Sequence, residues 1–233
     1  MKICVIGSCG KRKRTTSPNE PTCEDLQKQN ALPIWREKLH DLTVEARSMY
    51  TGNQNRELCK GVDMLREITG VTVDFFIISA GFGFLKEHTL IPPYECSFST
   101  MTKPEIQRRS RKLGVISDFR KIASSDYDLF YMALGRKYIT ALGDDWFHKT
   151  SGVVLAFDKT RHSSRMVYLP AGNQIVKRFS NRGYTIHGAA GFKGDLLRIL
   201  ALYALEQEQK YAEVMDWKNP LYLQNLLHNL AGL

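Results

Sequence analysis

Short hydrophobic runs alternate with longer amphipathic segments along this chain. Three of the runs, residues 3–6, 73–78 and 129–134, break at their carboxyl ends into glycine and polar residues. Continuous short runs of β-branched and aromatic residues are typical of buried parallel strands. Two later runs, at 152–157 and 165–169, predict two further strands.

Helical periodicity fills most of the sequence between and after these runs. Apolar residues recur there every three or four positions, as on the buried face of a helix. The helices predicted in this way cover residues 35–49, 57–69, 103–124, 137–142 and 193–214, with a last helix that ends at Leu230. Two proline-containing stretches, 15–33 and 79–102, predict long loops, which are usually functional in compact domains.

Strands that alternate with helices predict an α/β protein, with a three-layer open sheet whose core is parallel and with a helical carboxyl-terminal extension. The 233 residues suit one domain. Residues 1–145 would carry the motifs, and residues 146–233 would add a strand pair and helices. Ligands of open α/β sheets bind beyond the carboxyl ends of the strands, so three glycine-rich strand ends predict a site there.

Composition narrows the class of partner. The net charge of +9 favours a polyanionic partner, so we expect nucleic acid or a nucleotide phosphate; a basic protein without such a partner is the alternative. No run approaches the roughly 18 apolar residues of a membrane helix. The five cysteines are odd in number and form no CxxC pair, which argues against a zinc site and a disulfide framework and favours the reducing cytoplasm. We expect no metal and no cofactor.

The loop after the first run combines backbone donors with cations. It reads Ser8-Cys9-Gly10-Lys11-Arg12-Lys13, and its spacing differs from a Walker A motif. A tight turn with N–H groups, a hydroxyl and cations suits a phosphate or a base edge, although a solvated basic turn is the alternative. Cys9 makes a weak nucleophile candidate because no His or Asp lies near it in sequence. The binding candidates here are Ser8, Cys9, Gly10, Lys11 and Lys13.

The loop after the second run is rich in glycine and aromatic residues. Phe82 lies between Gly81 and Gly83, where it would offer a stacking surface for a base, a contact worth about 1–3 kcal/mol. A place in the core is the alternative for Phe82. The binding candidates in this loop are Ser79, Gly81, Phe82, Gly83 and Tyr94.

Glu95 follows a rigid Pro-Pro-Tyr segment and is the catalytic candidate. A carboxylate held near a sugar would stabilise the oxocarbenium-like state of a breaking glycosidic bond or would activate water. An ordinary surface glutamate is an equal alternative. Glu87 and His88 form a weaker candidate pair in the same loop.

Further candidates follow the third run. Gly135, Arg136 and Tyr138 stand where a helix should begin, and helix N-termini attract anions. His187 precedes a glycine-rich turn, and it is a candidate for catalysis or phosphate contact, with a buried structural histidine as the alternative.

The predicted helix over 103–124 carries seven cations and only two acids. A basic stripe of this kind can follow a phosphate backbone, while a solvated helix face is the alternative. The DNA-backbone candidates are Arg108, Arg109, Arg111 and Lys112. A second basic cluster contains Lys159, Arg161, His162, Arg165, Lys177, Arg178 and Arg182.

Taken together, the loops at Ser8–Lys13, Ser79–Leu85 and Ile91–Glu95, with Gly135 and Tyr138, resemble a little-characterised bacterial and phage family with "SCGKKK" and "SAKYGLL…PYD" motifs. The resemblance covers residues 1–145. That family is similar, more distantly, to the uracil-DNA-glycosylase-like α/β fold and to domains attached to tRNA-guanine transglycosylases.

The resemblance implies chemistry on a base–sugar bond, with Glu95 as the counterpart of the family's acidic residue. Phe82 stands where the family has Tyr, and Gly81 where it has Lys. Antiviral DNA glycosylases that remove modified bases from phage DNA look like the nearest functional relatives. We therefore expect a DNA glycosylase that leaves an abasic site; the alternative is a nucleotide-binding module, or a small-molecule nucleotide or nucleoside hydrolase or transferase, that uses the same loops.

Overall fold

A six-stranded sheet forms the centre of the protein. The computed structural model describes residues 1–28, 30–157 and 163–233. The sheet strands are β1 (Lys2–Ser8), β3 (Thr72–Ser79), β4 (Gly83–Lys86), β6 (Leu129–Met132), β7 (Val153–Ala156) and β8 (Met166–Tyr168). A separate small antiparallel sheet joins β2 (Val44–Glu45) to β5 (Leu90–Ile91).

The strand order in the sheet is β4-β3-β1-β6-β7-β8, and every neighbouring pair is parallel except β3 with β4. β1 lies between β3 and β6, so the chain goes to one side of β1 first and crosses to the other side later. Ser8 pairs with Ile78, and Ile6 pairs with Met132. This register brings the carboxyl ends of β1, β3 and β6 to one edge, and the order of connection reverses between β1 and β6.

Helices surround the sheet. Their bounds are α1 (Ala31–Lys38), α2 (Ala46–Met49), α3 (Asn53–Arg66), α4 (Lys103–Lys112), α5 (Val115–Ala123), α6 (Arg136–Ala141), α7 (Asn173–Asn181), α8 (Gly188–Glu206), α9 (Lys210–Asp216) and α10 (Pro220–Ala231). α3 packs against α8, and α4 packs against α6. The predicted α/β class, with a parallel core and a helical carboxyl-terminal part, is confirmed.

The central strands are apolar because both faces of the sheet are covered. Every residue of β6 and β7 is buried, as is the interior of β1. Buried parallel strands do not alternate polar and apolar residues, which is why these runs were continuous in the sequence.

Several predicted helices are interrupted. The helix expected over 35–49 breaks after Lys38, because residues 44–45 pair with residues 90–91 as strands. The helix expected over 103–124 divides at Gly114, whose φ of 69° is left-handed. The loop expected over 79–102 contains β4 and β5.

A disulfide joins Cys23 to Cys96 and corrects the expectation that the cysteines form none. The odd count of cysteines was a poor guide, because Cys4, Cys9 and Cys59 remain free. The bond connects the long loop before α1 to the segment after Tyr94.

Nowhere in the described ranges does a helix combine the length and apolar character needed to cross a membrane.

Candidate functional site

The ends of β1 and β6 meet the start of α3 where the order of connection in the sheet reverses, which is the place where open α/β sheets form a ligand crevice. Gln54, in the first turn of α3, donates its amide N–H to Ser8 Oγ at 3.4 Å and to the Ala133 carbonyl at 3.1 Å. A Cβ added to Gly52 or Gly135 would find no described atom within 4 Å. Open space beside these glycines lets a ligand approach the backbone. We call this region, bordered by Ser8, Gly52, Gln54 and Gly135, the β1–β6 crevice.

The first turns of α8 pack on the start of α3, next to this crevice. A Cβ added to Gly194 would lie 2.2 Å from the Gln54 carbonyl oxygen, and one added to Gly191 would lie 3.4 Å from Asn53 Cβ. Glycine is therefore required at position 194 for the two helices to approach so closely. This contact brings His187, which directly precedes α8, close to the start of α3.

His187 is held by a buried carboxylate. Its Nδ1 lies 2.7 Å from Asp195 Oδ1, and its backbone N–H donates to Asp195 Oδ2 at 2.8 Å. Asp195 is 0% exposed, whereas the His187 side chain keeps 28% of its surface exposed. With its proton on Nδ1, the imidazole donates to Asp195 and leaves Nε2 as an acceptor. A carboxylate that orients a histidine in this way prepares it for general acid–base work.

Glu57 on α3 completes a small cluster with this pair. One ligand atom from each of Glu57, His187 and Asp195 lies within 4.8 Å of the others. Lys60 Nζ stands 2.7 Å from Glu57 Oε1, and Arg198 Nε stands 2.6 Å from Oε2, although its N–H is not aimed at that oxygen. Burial alone would raise the pKa of Glu57, but these two cations hold it below its ordinary value. The same cations would compete with a metal ion for the carboxylate.

Cys9 directly follows β1, and α6 covers its side chain. Its Sγ is 3.0 Å from Tyr138 Oη, and the Tyr138 hydroxyl donates to the Cys9 carbonyl at 3.1 Å. Cys9 is only 8% exposed, and burial raises the pKa of the Tyr138 hydroxyl above its ordinary value. These two predicted binding residues therefore contact each other and fill part of the edge.

The other predicted residues of the first loop have mixed surroundings. Gly10 is partly buried, and Lys11 is exposed. The Lys13 ammonium lies 4.6 Å from the centre of the Tyr94 ring, which is a cation–π distance. Lys13 therefore already has an interaction partner inside the protein.

The end of β3 is closed by a network of hydroxyl groups. Tyr94 Oη lies 2.8 Å from both Ser79 Oγ and Tyr50 Oη, and the N–H groups of Gly81 and Phe82 donate to Ser79 Oγ. Ser79 and Tyr94 are 0% exposed, and burial raises the pKa of Tyr94 well above its ordinary value. This burial corrects the expectation that Ser79 and Tyr94 contact a ligand: both side chains are enclosed by protein.

The two glycines beside Phe82 serve close packing. A Cβ on Gly81 would lie 2.7 Å from Tyr94 ring carbons, and Gly83, with φ of 82°, would place one 2.7 Å from the Leu113 carbonyl oxygen. Phe82 is half-buried and meets the Tyr94 ring edge-on at 4.8 Å. Its remaining surface lines a groove of about 500 Å³ that is otherwise formed mainly by residues 26–28 and 30–33.

The predicted DNA-backbone residues do not share one face. Arg109 is buried, and it donates from Nε to the Ala80 carbonyl and from Nη1 to the Cys23 carbonyl at 2.8 Å. The prediction that Arg109 belongs to an exposed basic stripe is therefore wrong. Arg108, Arg111 and Lys112 are exposed; Arg108 and Lys112 line one cleft, and Arg111 lines another.

Glu95 and Arg136 have exposed side chains. The Glu95 backbone N–H donates to the Pro21 carbonyl at 2.9 Å, which places this residue beside the disulfide segment. Arg136 is the first residue of α6, directly after Gly135.

In the second basic cluster, Lys159, Arg161 and His162 lie outside the described residues. Arg165 donates to the carbonyls of Thr150 and Ser151, and Arg178 donates to the Gly232 carbonyl. These two arginines therefore connect segments of the protein.

Ser8 contacts Gln54 at the start of α3, and His187 lies close to the same helix; the structure also reveals partners that sequence reasoning missed. Gln54 connects two strand ends, and Asp195 orients His187. One signal for Asp195 was present: it is the single acid in the apolar run of α8 between Gly188 and Leu205. A carboxylate in such a run is expected to have a partner when it is buried.

Comparison with known proteins places the chain among proteins whose activity is not established. No curated protein matches the sequence. A profile described as "Family of unknown function (DUF6884)" matches residues 36–171, which include β3, α4 and β6 but neither β1 nor His187. Since the match spans more than half of the chain, the protein belongs to this family, DUF6884.

Proposed function

We propose that this protein is an N-glycosidase that hydrolyses the bond between a base and its sugar in DNA, with His187 transferring protons at the β1–β6 crevice and Asp195 orienting its imidazole. The observation that carries the proposal is the imidazole of His187, which a fully buried carboxylate holds close to the start of α3. The motif resemblance supports the choice of bond, since it points to base–sugar chemistry.

The proton transfers balance as a hydrolysis. The bond between C1′ of the sugar and the base nitrogen breaks, and water adds to C1′. Nε2 of His187 accepts one proton of that water and then delivers it to the departing base nitrogen. Asp195 stabilises the imidazolium that forms between the two steps, because its carboxylate lies 2.7 Å from Nδ1.

DNA is the partner we propose, because the protein carries a net charge of +9 and exposes Arg108 and Lys112 on α4, where both line the same cleft. A modified base in phage DNA fits an antiviral role and the resemblance to antiviral glycosylases. Such a protein would act in the cytoplasm, where thiols would tend to reduce the Cys23–Cys96 bond.

The test is incubation with unmodified and base-modified DNA, followed by assay of alkali-labile sites and mass spectrometry of the free base. His187→Asn and Asp195→Asn should each slow base release by about 100-fold or more, in the range of acid–base catalysis. His40→Asn is the matched control, because His40 forms an exposed pair with Asp41 at 3.0 Å. Full activity in His187→Asn would refute the proposal.

Glu95→Gln separates this mechanism from the one expected from sequence. The exposed Glu95 carboxylate has no role in the proposed proton transfers, so the variant should release base at the rate of the wild type. Loss of release in Glu95→Gln together with normal release in His187→Asn would assign the chemistry to Glu95 instead.

A nucleotide-binding module is the second candidate. It is favoured by the open space beside Gly52 at the start of α3, because helix N-termini bind phosphate groups. Binding of a free nucleotide should change little with salt, whereas DNA binding should weaken steeply. Nucleotide binding without any base release would support this candidate.

A further inference from the structure

A cationic cleft of about 440 Å³ lies between α4 and the segment that carries Cys23. Arg108, Arg109 and Lys112 line it, together with Glu24 and Glu105. Ligand pockets in proteins commonly have volumes of about 300–1,000 Å³, so this cleft is large enough to hold a small polar ligand.

Arg109 gives the cleft a buried positive charge. Its guanidinium donates to two neutral carbonyl groups, and its Nη2 is buried without a hydrogen-bond partner among the described residues. Burial lowers the pKa of Arg109, as expected for a cation removed from water. A buried charge is costly when no opposite charge balances it. The free donor and the unbalanced charge both point to an anionic ligand.

The charges around the cleft suggest how much charge that ligand carries. Three cations and two carboxylates line it, which leaves a net charge of one positive unit. Glu105 accepts hydrogen bonds from the backbone N–H and the hydroxyl of Thr102, both at 2.7 Å, so its carboxylate has a structural role as well. A phosphodiester carries one negative charge and therefore matches this balance.

The apolar groove beside Phe82 adjoins this cleft. Gln27 and Lys112 line both hollows, and Phe82, Leu32 and Leu113 contribute apolar surface to the groove. Aromatic side chains next to cations are the usual means of binding single-stranded nucleic acid, because bases stack on the ring while cations follow the backbone.

We propose that the cleft and the groove together bind one nucleotide unit of a single DNA strand. Its phosphodiester lies beside Arg108, Arg109 and Lys112, and its base stacks on Phe82. The inference rests on the proposed function only for its choice of DNA as the ligand. It assigns strand binding to the β3 side of the molecule, apart from the His187–Asp195 pair.

The test measures binding of a short fluorescein-labelled oligothymidylate by fluorescence anisotropy at several salt concentrations. Phe82→Leu keeps an apolar side chain but removes the ring, and it should weaken binding by about fivefold or more. Arg108→Gln should weaken binding about tenfold at low salt and should lower the slope of affinity against salt by about 0.7, the value for one phosphate contact on a single strand.

Arg111→Gln is the matched control, because Arg111 lies on the same helix, is equally exposed, and lines a different hollow. The inference predicts that this variant binds almost as well as the wild type. Equal losses for Arg108→Gln and Arg111→Gln would overturn it, because they would show attraction by net charge alone. Tighter binding of thymidine monophosphate than of the oligonucleotide would also overturn it.

The same measurement keeps this inference apart from the proposed function. His187→Asn should bind the oligonucleotide as the wild type does, even when it releases no base. If the wild type releases no base from any DNA while Arg108→Gln still binds more weakly than Arg111→Gln, the proposed function fails and the binding site stands.

Discussion

The end of β3 and the β1–β6 crevice are built from similar sequence but differ in packing. Each strand runs into small residues and glycine, yet a Cβ on Gly81 would lie 2.7 Å from the Tyr94 ring, whereas one on Gly135 would meet no described atom within 4 Å. A glycine at a strand end therefore has two uses. It allows close packing in the first region and leaves open space in the second.

The two regions also differ in whether a buried charge has a partner of opposite charge. Beside the crevice, the carboxylate of Asp195 is paired with His187. Beside the end of β3, the guanidinium of Arg109 has only carbonyl acceptors and one donor without a partner among the described residues. The first arrangement is suited to moving a proton, and the second is suited to receiving an anion.

The largest effect that separates the two regions should come from the disulfide. Replacing Cys23 and Cys96 by serine should lower the free energy of unfolding by about 2–4 kcal/mol, because the bond closes a loop between residues 73 positions apart. Urea unfolding measures this loss. Since Cys96 lies beside the end of β3, the double variant should keep the base release that we propose for His187 when it is folded.

Thiol titration provides the control for this prediction. The unfolded, unreduced wild type should show three free thiols out of five cysteines. Five free thiols after air oxidation of the purified protein would contradict the assignment of the disulfide. Wild-type protein with the bond reduced should unfold at the same urea concentration as the double variant.

The next effect tests the two strand-end glycines directly. Gly81→Ala should destabilise the protein by about 1–3 kcal/mol, because the added methyl group overlaps Tyr94 in a closely packed region. Gly135→Ala should change stability by less than about 0.5 kcal/mol, because the position is open and its φ of −91° suits alanine. Thermal and urea unfolding compare the two variants, and equal stability losses would contradict the contrast between the regions.

The smallest effect concerns Glu57, the carboxylate on α3 that lies beside His187 and Asp195. The pKa of Glu57 is lowered from 4.5 in the folded protein, so its ionised form favours folding above that pH. This contribution, about 1 kcal/mol or less because the partner Lys60 is exposed to solvent although Glu57 is buried, should be lost as the pH falls through the lowered folded-state pKa. Urea unfolding between pH 7 and pH 3 should show a weaker acid dependence for Glu57→Gln than for the wild type. An unchanged dependence would contradict the role of Lys60 and Arg198.

The strands and most helices followed from local pattern, but some helices were predicted too long. The helix over 35–49 was broken by pairing of Val44 with Ile91, a contact between positions 47 residues apart. Periodicity in a short window contains no information about such a partner. Gly114, in contrast, was a local signal for the break between α4 and α5, because glycine readily adopts a left-handed φ.

Candidate site residues were harder to predict because residue type does not give burial. Tyr94 and Arg109 have side chains that suit ligand binding, yet Tyr94 is enclosed by Ser79 and Tyr50, and Arg109 donates to the carbonyls of the loops around it. Asp195 lies eight positions from His187, and only the course of the backbone at the start of α8, where Gly188 has a φ of 72°, brings the two side chains into contact.

By itself, the sequence determined the α/β class, the buried parallel strands, the basic net charge and the glycine-rich strand ends, because these depend on composition and on the spacing of neighbouring residues. Only the tertiary structure decided which strand end is closed, which one is open, and which charges are paired. The physical reason is that closure and pairing arise from contacts between residues far apart in the chain, such as Gly81 with Tyr94, Gln54 with Ala133, and Cys23 with Cys96.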